Sequence, residues 1–155
     1  MSEILAAGIE GSYRRHFQML YRICYLYLHT AADAEDAVAA VFVRYLERGE
    51  IFSDAEREKA WLIVTAKNVC KSELRRHRRR DTALEDAADA EAPQTSDDTL
   101  SVLLGLPDKY KAVLYLFYYE DRTTAEIARL LGKKESTVRS LLTRGRELLR
   151  KQLTE

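Results

Sequence analysis

Residues 123–149, TTAEIARLLGKKESTVRSLLTRGRELL, contain two short helical patterns separated by a single glycine. Thr123 and Glu126 have the Thr-x-x-Glu spacing of a capping box, which predicts that a helix begins here. Gly132 follows the last apolar residue of that helix and is predicted to end it in a left-handed conformation. A second helix is predicted over about 135–152. Two helices joined by a tight glycine turn are typical of a helix-turn-helix.

The second of these helices has two different faces. Small and apolar residues at helical spacing predict the side that packs on the protein: Val138, Leu141, Leu142, Gly145, Leu148 and Leu149. The opposite face carries hydroxyls and arginines: Ser136, Thr137, Arg139, Ser140, Thr143, Arg144 and Arg146. In a helix-turn-helix the second helix lies in the major groove, where arginine can bind guanine and hydroxyls can bind phosphates. The pattern favours DNA binding, and its alternative is an ordinary solvated face of a surface helix.

The rest of the chain also shows the period of helices. Three helices are predicted in the first half: one that carries an apolar stripe from Tyr13 to Leu28, one from about residue 33 to a stop at Gly49, and one from 55 to 80. Pro107 is predicted to occupy the first position of a later helix, where its missing N–H costs nothing. Because no segment has a convincing strand pattern, the predicted fold class is all-α.

Charge is strongly segregated along the chain, although the formal net charge is zero. Residues 65–80 hold seven basic residues and one acidic residue, and residues 133–155 hold seven basic and three acidic residues. Residues 81–98 hold seven acidic and no basic residues. A polyanion would therefore meet two separate positive surfaces, a property that the overall charge conceals.

The acidic segment separates two helical regions. Residues 81–99 are poor in large apolar side chains and include Pro93, so they are predicted to form a flexible linker. The predicted organisation is a helical domain at 1–80, the linker, and a helix-turn-helix domain at 100–155.

The first basic block continues a predicted helix that carries an aromatic residue, Trp61, one or two turns earlier. About half of the helix surface then collects polar and cationic side chains: Lys67, Asn68, Lys71, Arg75 and Arg76. Cations close to an aromatic ring suit the phosphates and unstacked bases of a single strand. The alternative is a solvated helix end, where the helix dipole favours cations. Five arginines within 75–80 would repel one another, which favours a nucleic-acid partner.

Several other kinds of site are not predicted. Cys24 and Cys70 have no CxxC spacing and are predicted to be buried free thiols. His16, His29 and His77 lack metal-ligand spacing, and there is no phosphate-binding glycine loop. We therefore predict no metal, no cofactor, no catalytic residue and no enzymatic activity. The chain shows neither a signal sequence nor an apolar membrane span, which predicts a cytoplasmic protein without membrane insertion.

Three stretches of the chain resemble the extracytoplasmic-function group of bacterial sigma factors. Two of them resemble the helices that bind core polymerase and the −10 element: DAEDAVAAVFVRYL at 33–46 and WLIVTAKNVCKSELRRHRRR at 61–80. The third, at 106–153, resembles the domain that recognises the −35 element, with its LP start, its EIA tripeptide and its STVRS turn. The resemblance covers most of the chain.

The resemblance implies a two-domain promoter-specificity subunit of RNA polymerase. Its core-binding residues would be Asp33, Asp36, Ala39, Ala40, Phe42 and Arg44. Its −10-binding residues would be Trp61, Lys67, Asn68, Lys71, Arg75 and Arg76. The polar face of the last helix, Ser136 to Arg146, would bind the −35 element in the major groove. The implied partners are core polymerase, promoter DNA and, as for many family members, an anti-sigma factor.

The chain departs from the family pattern on the proposed core-binding helix. Ala37, Ala39 and Ala40 stand where leucine, glutamine and glutamate are usual, which removes polar docking contacts. This departure leaves open a free-standing helix-turn-helix regulator that does not act through core polymerase. A helical interaction protein is a third alternative, but it would leave both basic surfaces unexplained.

Overall fold

The computed structural model describes residues 3–80 and 98–154. These ranges contain no strand and seven helices, namely α1 (Glu3–Leu28), α2 (Ala31–Arg48), α3 (Ala55–Arg80), α4 (Asp98–Leu104), α5 (Asp108–Tyr118), α6 (Thr124–Leu131) and α7 (Glu135–Thr154). The all-α prediction is confirmed for the described part of the chain. The chain divides into two compact units, Met1–Glu91 and Ala92–Glu155.

Local signals set the ends of the helices in the first unit. The Thr30 side chain accepts a hydrogen bond from the backbone N–H of Asp33 at 3.2 Å and so caps the start of α2. Gly49, with φ of 80°, ends α2 in the left-handed conformation that glycine adopts readily. The Asp54 carboxylate accepts from the backbone N–H of Glu56 at 2.9 Å, where α3 begins. The predicted stop of α2 and start of α3 are confirmed.

The core of the first unit lies where α1 packs against both α2 and α3. Its fully buried members include Leu20, Cys24, Tyr25, Val38, Val41, Tyr45, Leu62, Ala66 and Cys70. Each large apolar side chain removed from water stabilises the fold by about 1.5–3 kcal/mol. Tyr13, at the start of the stripe predicted for α1, stays 40% exposed. Cys24 and Cys70 are buried free thiols, as predicted, and a hydrogen bond between them together with burial raises the pKa of Cys24.

A buried carboxylate, Glu58, joins the three helices of this unit. Its Oε2 accepts a hydrogen bond from the Tyr45 hydroxyl at 2.6 Å, and its Oε1 lies 3.2 Å from both Arg15 Nη2 and His16 Nε2. The side chain is only 4% exposed, and burial alone would raise the pKa of Glu58. Hydrogen bonds from Tyr45, Arg15 and His16 outweigh burial and hold this pKa below its ordinary value. The Tyr45 hydroxyl also accepts from the backbone N–H of Phe52 at 3.2 Å, which ties the α2–α3 loop to the core.

In the second unit, α7 packs against α5 and α6, and α4 contacts both α5 and α7. The buried side chains include Leu100, Leu103, Val113, Leu114, Leu116, Ile127, Val138 and Leu142. Gly145 allows α7 to approach α5 closely, because a Cβ at this position would lie 3.0 Å from a Leu114 methyl carbon. Pro107 stands at the N-cap of α5, one residue before its predicted position.

The α4 helix has no counterpart among the predicted helices. Its first two residues, Asp98 and Thr99, belong to the segment predicted as a linker at 81–99. The remainder of that segment lies outside the described residues. Leu100 and Leu103 have helical spacing and are buried, so they attach α4 to the second unit.

The lowered pKa of Glu58 predicts that acid destabilises the first unit. Ionised Glu58 contributes stability above the ordinary carboxyl pKa of about 4.3, and the contribution is lost as pH falls through the lower folded pKa. Glu58→Gln should lower the free energy of unfolding at pH 7 by about 1–3 kcal/mol. The difference between variant and wild type should shrink as the pH falls below about 4.3.

Chemical unfolding of both proteins at a series of pH values measures this difference. Glu47→Gln, an exposed substitution on α2, serves as the control and should change stability little at any pH. A difference between Glu58→Gln and wild type that stays constant down to pH 3 would contradict the assignment.

Candidate nucleic-acid interface

The predicted helix-turn-helix is formed by α6 and α7. The Thr123 hydroxyl accepts from the backbone N–H of Glu126 at 3.1 Å, and the Glu126 carboxylate accepts from the backbone N–H of Thr123 at 2.9 Å. This capping box fixes the start of α6, and the backbone hydrogen bond to Thr123 lowers the pKa of Glu126. Gly132 ends α6 with φ of 67°, and its N–H donates to the Ala128 carbonyl. Both predicted helix ends are confirmed.

The outer face of α7 presents hydroxyls and guanidinium groups together. Because Val138 and Leu142 are buried against the unit, the polar side chains between them point outward. Six of the seven residues predicted for this face are exposed, namely Ser136, Thr137, Arg139, Ser140, Thr143 and Arg144. Five of them line one shallow groove, which we call the α7 groove: Ser136, Arg139, Ser140, Thr143 and Arg144. The arrangement offers both hydroxyls and arginine forks to a ligand that lies along the helix.

Arg146, the seventh predicted residue, lies outside the α7 groove. Its Nε donates a hydrogen bond to the Tyr118 hydroxyl at 2.7 Å, and its guanidinium lies 5.1 Å from the centre of the Phe117 ring. Arginine over an aromatic ring is favourable, so α5 holds this side chain in place. The contact depends on how α5 and α7 pack, which helical periodicity alone does not predict.

The cationic face of α3 is largely exposed. Asn68, Lys71, Arg75 and Arg76 are exposed, and Lys67 is half-buried. Arg76 forms an ion pair with Glu73, one turn earlier on the same helix. This face therefore carries a strip of positive charge along the C-terminal part of α3.

The α2–α3 loop and the helix ends beside it place two more arginines and an aromatic ring near the start of α3. The Arg48 guanidinium lies 3.7 Å from the centre of the Phe52 ring, and that ring lies 5.9 Å from the ring of Trp61. Arg48, Phe52 and Arg57 line a concave surface with Glu50, Ile51, Ser53 and Asp54. The sequence pattern indicates Trp61 but not Arg48 at the end of α2, Phe52 in the loop or Arg57 in the first turn of α3. The spacing of Arg48, Phe52 and Arg57 around the predicted α2–α3 junction was the available signal.

The outer face of α2 differs in part from the set implied by the family resemblance. Asp36, Ala39 and Arg44 are exposed, and Asp33 and Ala40 are half-buried. Phe42 is only 6% exposed and packs with Tyr13 and Tyr45, at ring-centroid distances of 5.1 and 6.3 Å. Its neighbour Val43 is 52% exposed, so this valine is the large apolar side chain that α2 presents to solvent.

The alanines that depart from the family pattern do not share one environment. Ala37 is 2% exposed and belongs to the core of the first unit. Ala39 is exposed and Ala40 is half-buried, so only these two alter the surface of α2.

Residues 3–80 and 98–154 lack the features of a membrane span and of a metal site with three or more ligands. None of the helices there combines the length and apolar character needed to cross a bilayer. No group of three or more His, Cys, Asp or Glu side chains in these ranges is placed to hold a metal ion.

Two family models match the chain. Residues 12–80 match Sigma-70 region 2, and residues 96–149 match Sigma-70, region 4. The first match covers most of α1 and all of α2 and α3, and the second covers α4 to α6 and most of α7. Together with the helix-turn-helix, the matches define the class as sigma-70 transcription initiation factors.

Similarity to individual sigma factors identifies the group within this class to which the chain belongs. The ECF RNA polymerase sigma factor SigM of Mycobacterium tuberculosis is 32% identical over 165 residues, with 98% of this chain and 84% of the relative covered. SigL of the same species is 30% identical over 161 residues, covering 97% and 91%. SigW of Bacillus subtilis is 28% identical over 157 residues, covering 88% and 83%. The chain belongs to the extracytoplasmic-function (ECF) family of RNA polymerase sigma factors, as its motifs predicted.

A solved structure has the same fold. The sigma factor RpoE from Bartonella quintana, crystallised in complex with the anti-sigma factor NepR, matches with a TM-score of 0.73. The match covers 94% of this chain and 96% of that chain at 20% sequence identity. At this level of identity the similarity supports the fold.

The capping box predicts a measurable effect of one hydroxyl on stability. Thr123→Ala should lower the free energy of unfolding of the second unit by about 1 kcal/mol, because the Glu126 N–H loses its partner. Thermal unfolding of the full chain measures the change. Thr137→Ala makes the same chemical change at an exposed position of α7 and should have little effect. Equal melting temperatures for wild type and Thr123→Ala would show that the cap contributes nothing.

Proposed function

We propose that this ECF sigma factor binds promoter DNA through the α7 groove and the cationic face of α3, and core polymerase through α2. In this assignment residues 1–80 form the core- and −10-binding domain, and residues 100–155 form the −35-binding domain. The protein acts as an initiation factor and not as a catalyst, in the cytoplasm, where polymerase and promoter lie. The observation that carries the proposal is the two-sided character of α7, with Val138 and Leu142 buried and Arg139 and Arg144 outside.

The α7 groove has the composition that reading of duplex DNA requires. Exposed Arg139 and Arg144 can each offer two parallel N–H donors to guanine O6 and N7. Ser136 and Ser140 can bind phosphates or base edges beside them, whereas the Thr143 hydroxyl donates to the Arg139 carbonyl at 3.0 Å and can only accept from a base edge. Since α7 is the second helix of the helix-turn-helix, its outer face is the one expected to enter the major groove. These features support −35 recognition by α7.

The first unit has the composition that binding of an opened strand requires. Lys71, Arg75 and the other exposed cations of α3 suit the phosphates, and Phe52 and Trp61 offer rings on which unstacked bases can stack. The Tyr45 hydroxyl holds the backbone of Phe52, which limits the freedom of the loop before DNA binds. A preorganised surface loses less entropy on binding. These features support −10 recognition by α3 and the α2–α3 loop.

The outer face of α2 suits a protein partner. Val43 is a large apolar side chain in solvent, with Ala39 one turn before it and the charges of Asp36 and Arg44 nearby. Protein interfaces commonly combine an apolar centre with a polar rim. The exposed Val43 therefore supports docking on core polymerase and speaks against a free-standing regulator. An anti-sigma factor is a further proposed partner, since the Bartonella quintana neighbour was solved with one.

Arg144→Ala should weaken binding to a selected −35 duplex by about 1–3 kcal/mol, because a bidentate base contact is lost. Arg146→Ala is the matched control, because it removes the same group from the same helix but outside the α7 groove. We expect it to cost less than about 0.5 kcal/mol. Titration of labelled duplex with the full chain at fixed salt measures both affinities. Equal losses for the two variants would contradict the assignment of the α7 groove.

Asp36→Arg should weaken binding to core polymerase by about tenfold, equivalent to about 1.4 kcal/mol. The reversed charge lies on the same outer face of α2 as Val43, where it would oppose a complementary surface. Competition with labelled wild-type protein for purified core enzyme measures the affinity. Glu10→Arg reverses an exposed charge on α1 of the same unit and provides the control. Undiminished competition by Asp36→Arg would count against docking through this face.

A further inference from the structure

Glu135 connects the two helices of the helix-turn-helix. It is the first residue of α7, and its Oε2 accepts a hydrogen bond from the Thr124 hydroxyl at 2.7 Å. Thr124 is the first residue of α6, so this bond crosses from one helix to the other. The same Oε2 lies 3.4 Å from Nη1 of Arg139, one turn further along α7. One carboxylate oxygen thus joins the start of α6, the start of α7 and an arginine of the α7 groove.

The negative charge of Glu135 weakens the attraction between α7 and DNA phosphates, whatever the DNA sequence. Glu135 is exposed, precedes Ser136 and lies 3.4 Å from Arg139, and both of these residues line the α7 groove that the proposed function assigns to DNA. The helix dipole favours an acidic residue at the start of α7, which accounts for its presence in the isolated protein. The helix dipole does not explain the hydrogen bond from the Thr124 hydroxyl to Glu135. That hydrogen bond holds the Glu135 carboxylate near Arg139. The geometry therefore fits a role for Glu135 in orienting Arg139.

We propose that Glu135 is a positioning residue for Arg139 and sets how strictly α7 reads one base pair. Held by Thr124, Glu135 restricts the conformations of the Arg139 guanidinium before DNA binds. The two N–H donors of Arg139 are then aligned with one base instead of with neighbouring phosphates. Its negative charge also weakens nonspecific binding, which raises the ratio of specific to nonspecific affinity. This inference rests on the proposed function, since it takes α7 to lie in the major groove.

The test compares the sequences that each variant selects from a pool of randomised duplexes, using the full chain with core polymerase. Arg139→Ala should remove the preference at one base pair. Glu135→Gln should weaken the preference at that same base pair by about threefold or more and increase binding to nonspecific duplex. Thr124→Val keeps the charge and removes the hydroxyl, so it should broaden the same preference without the increase in nonspecific binding.

Glu147→Gln is the matched control, because it removes one negative charge from an exposed position of the same helix. It should increase binding to all duplexes and leave the selected sequence unchanged. An unchanged preference in Glu135→Gln would overturn the inference alone. A change at a different base pair would also overturn it, because Glu135 would then read a base directly. A wild-type protein that selects no sequence would overturn the proposed function and the inference together.

Discussion

The packing of α7 against α5 and α6 determines which side of this helix faces solvent. Val138 and Leu142 are buried, and Gly145 lets the helix approach Leu114 closely. Because the period of an α-helix is fixed, turning these positions inward turns Arg139 and Arg144 outward. The cationic face of α7 therefore follows from the core of the second unit. A change in that core would alter the exposed face even if every exposed residue stayed the same.

In the first unit, a buried polar network determines how the helices pack and which residues face solvent. Tyr45 and Glu58 lie in the core with their hydrogen bonds satisfied, and a satisfied network of this kind specifies one arrangement of its helices. The same tyrosine hydroxyl holds Phe52, whose ring lies between Arg48 and Trp61. In both units, interior contacts hold the residues proposed to bind DNA, and the neutral net charge conceals two positive surfaces.

Features set by neighbouring residues were predictable from the sequence, whereas features set by packing between helices were not. The capping box at Thr123, the glycine stop of α6 and the outward face of α7 follow from local spacing, and the structure has all three. The stacking of Arg146 on α5 depends on tertiary contact. Phe42 shares the helical spacing of Val38, Val41 and Tyr45 and is buried with them, so its position followed from the sequence, and its packing on Tyr13 of α1 removes it from the exposed face that the family resemblance implies for core binding. The roles assigned to the α7 groove, the α3 face and the α2 face remain predictions.

In the proposed function one chain both recruits polymerase and recognises DNA, and transcription from purified components tests that combination most directly. The measurement maps the 5′ ends of transcripts made by core polymerase, with and without the full chain, on a pool of genomic promoters. We expect discrete start sites that depend on the added protein and share sequence elements at a fixed spacing upstream. DNA binding by the protein without any new start sites would contradict the account and favour a regulator that acts without core polymerase.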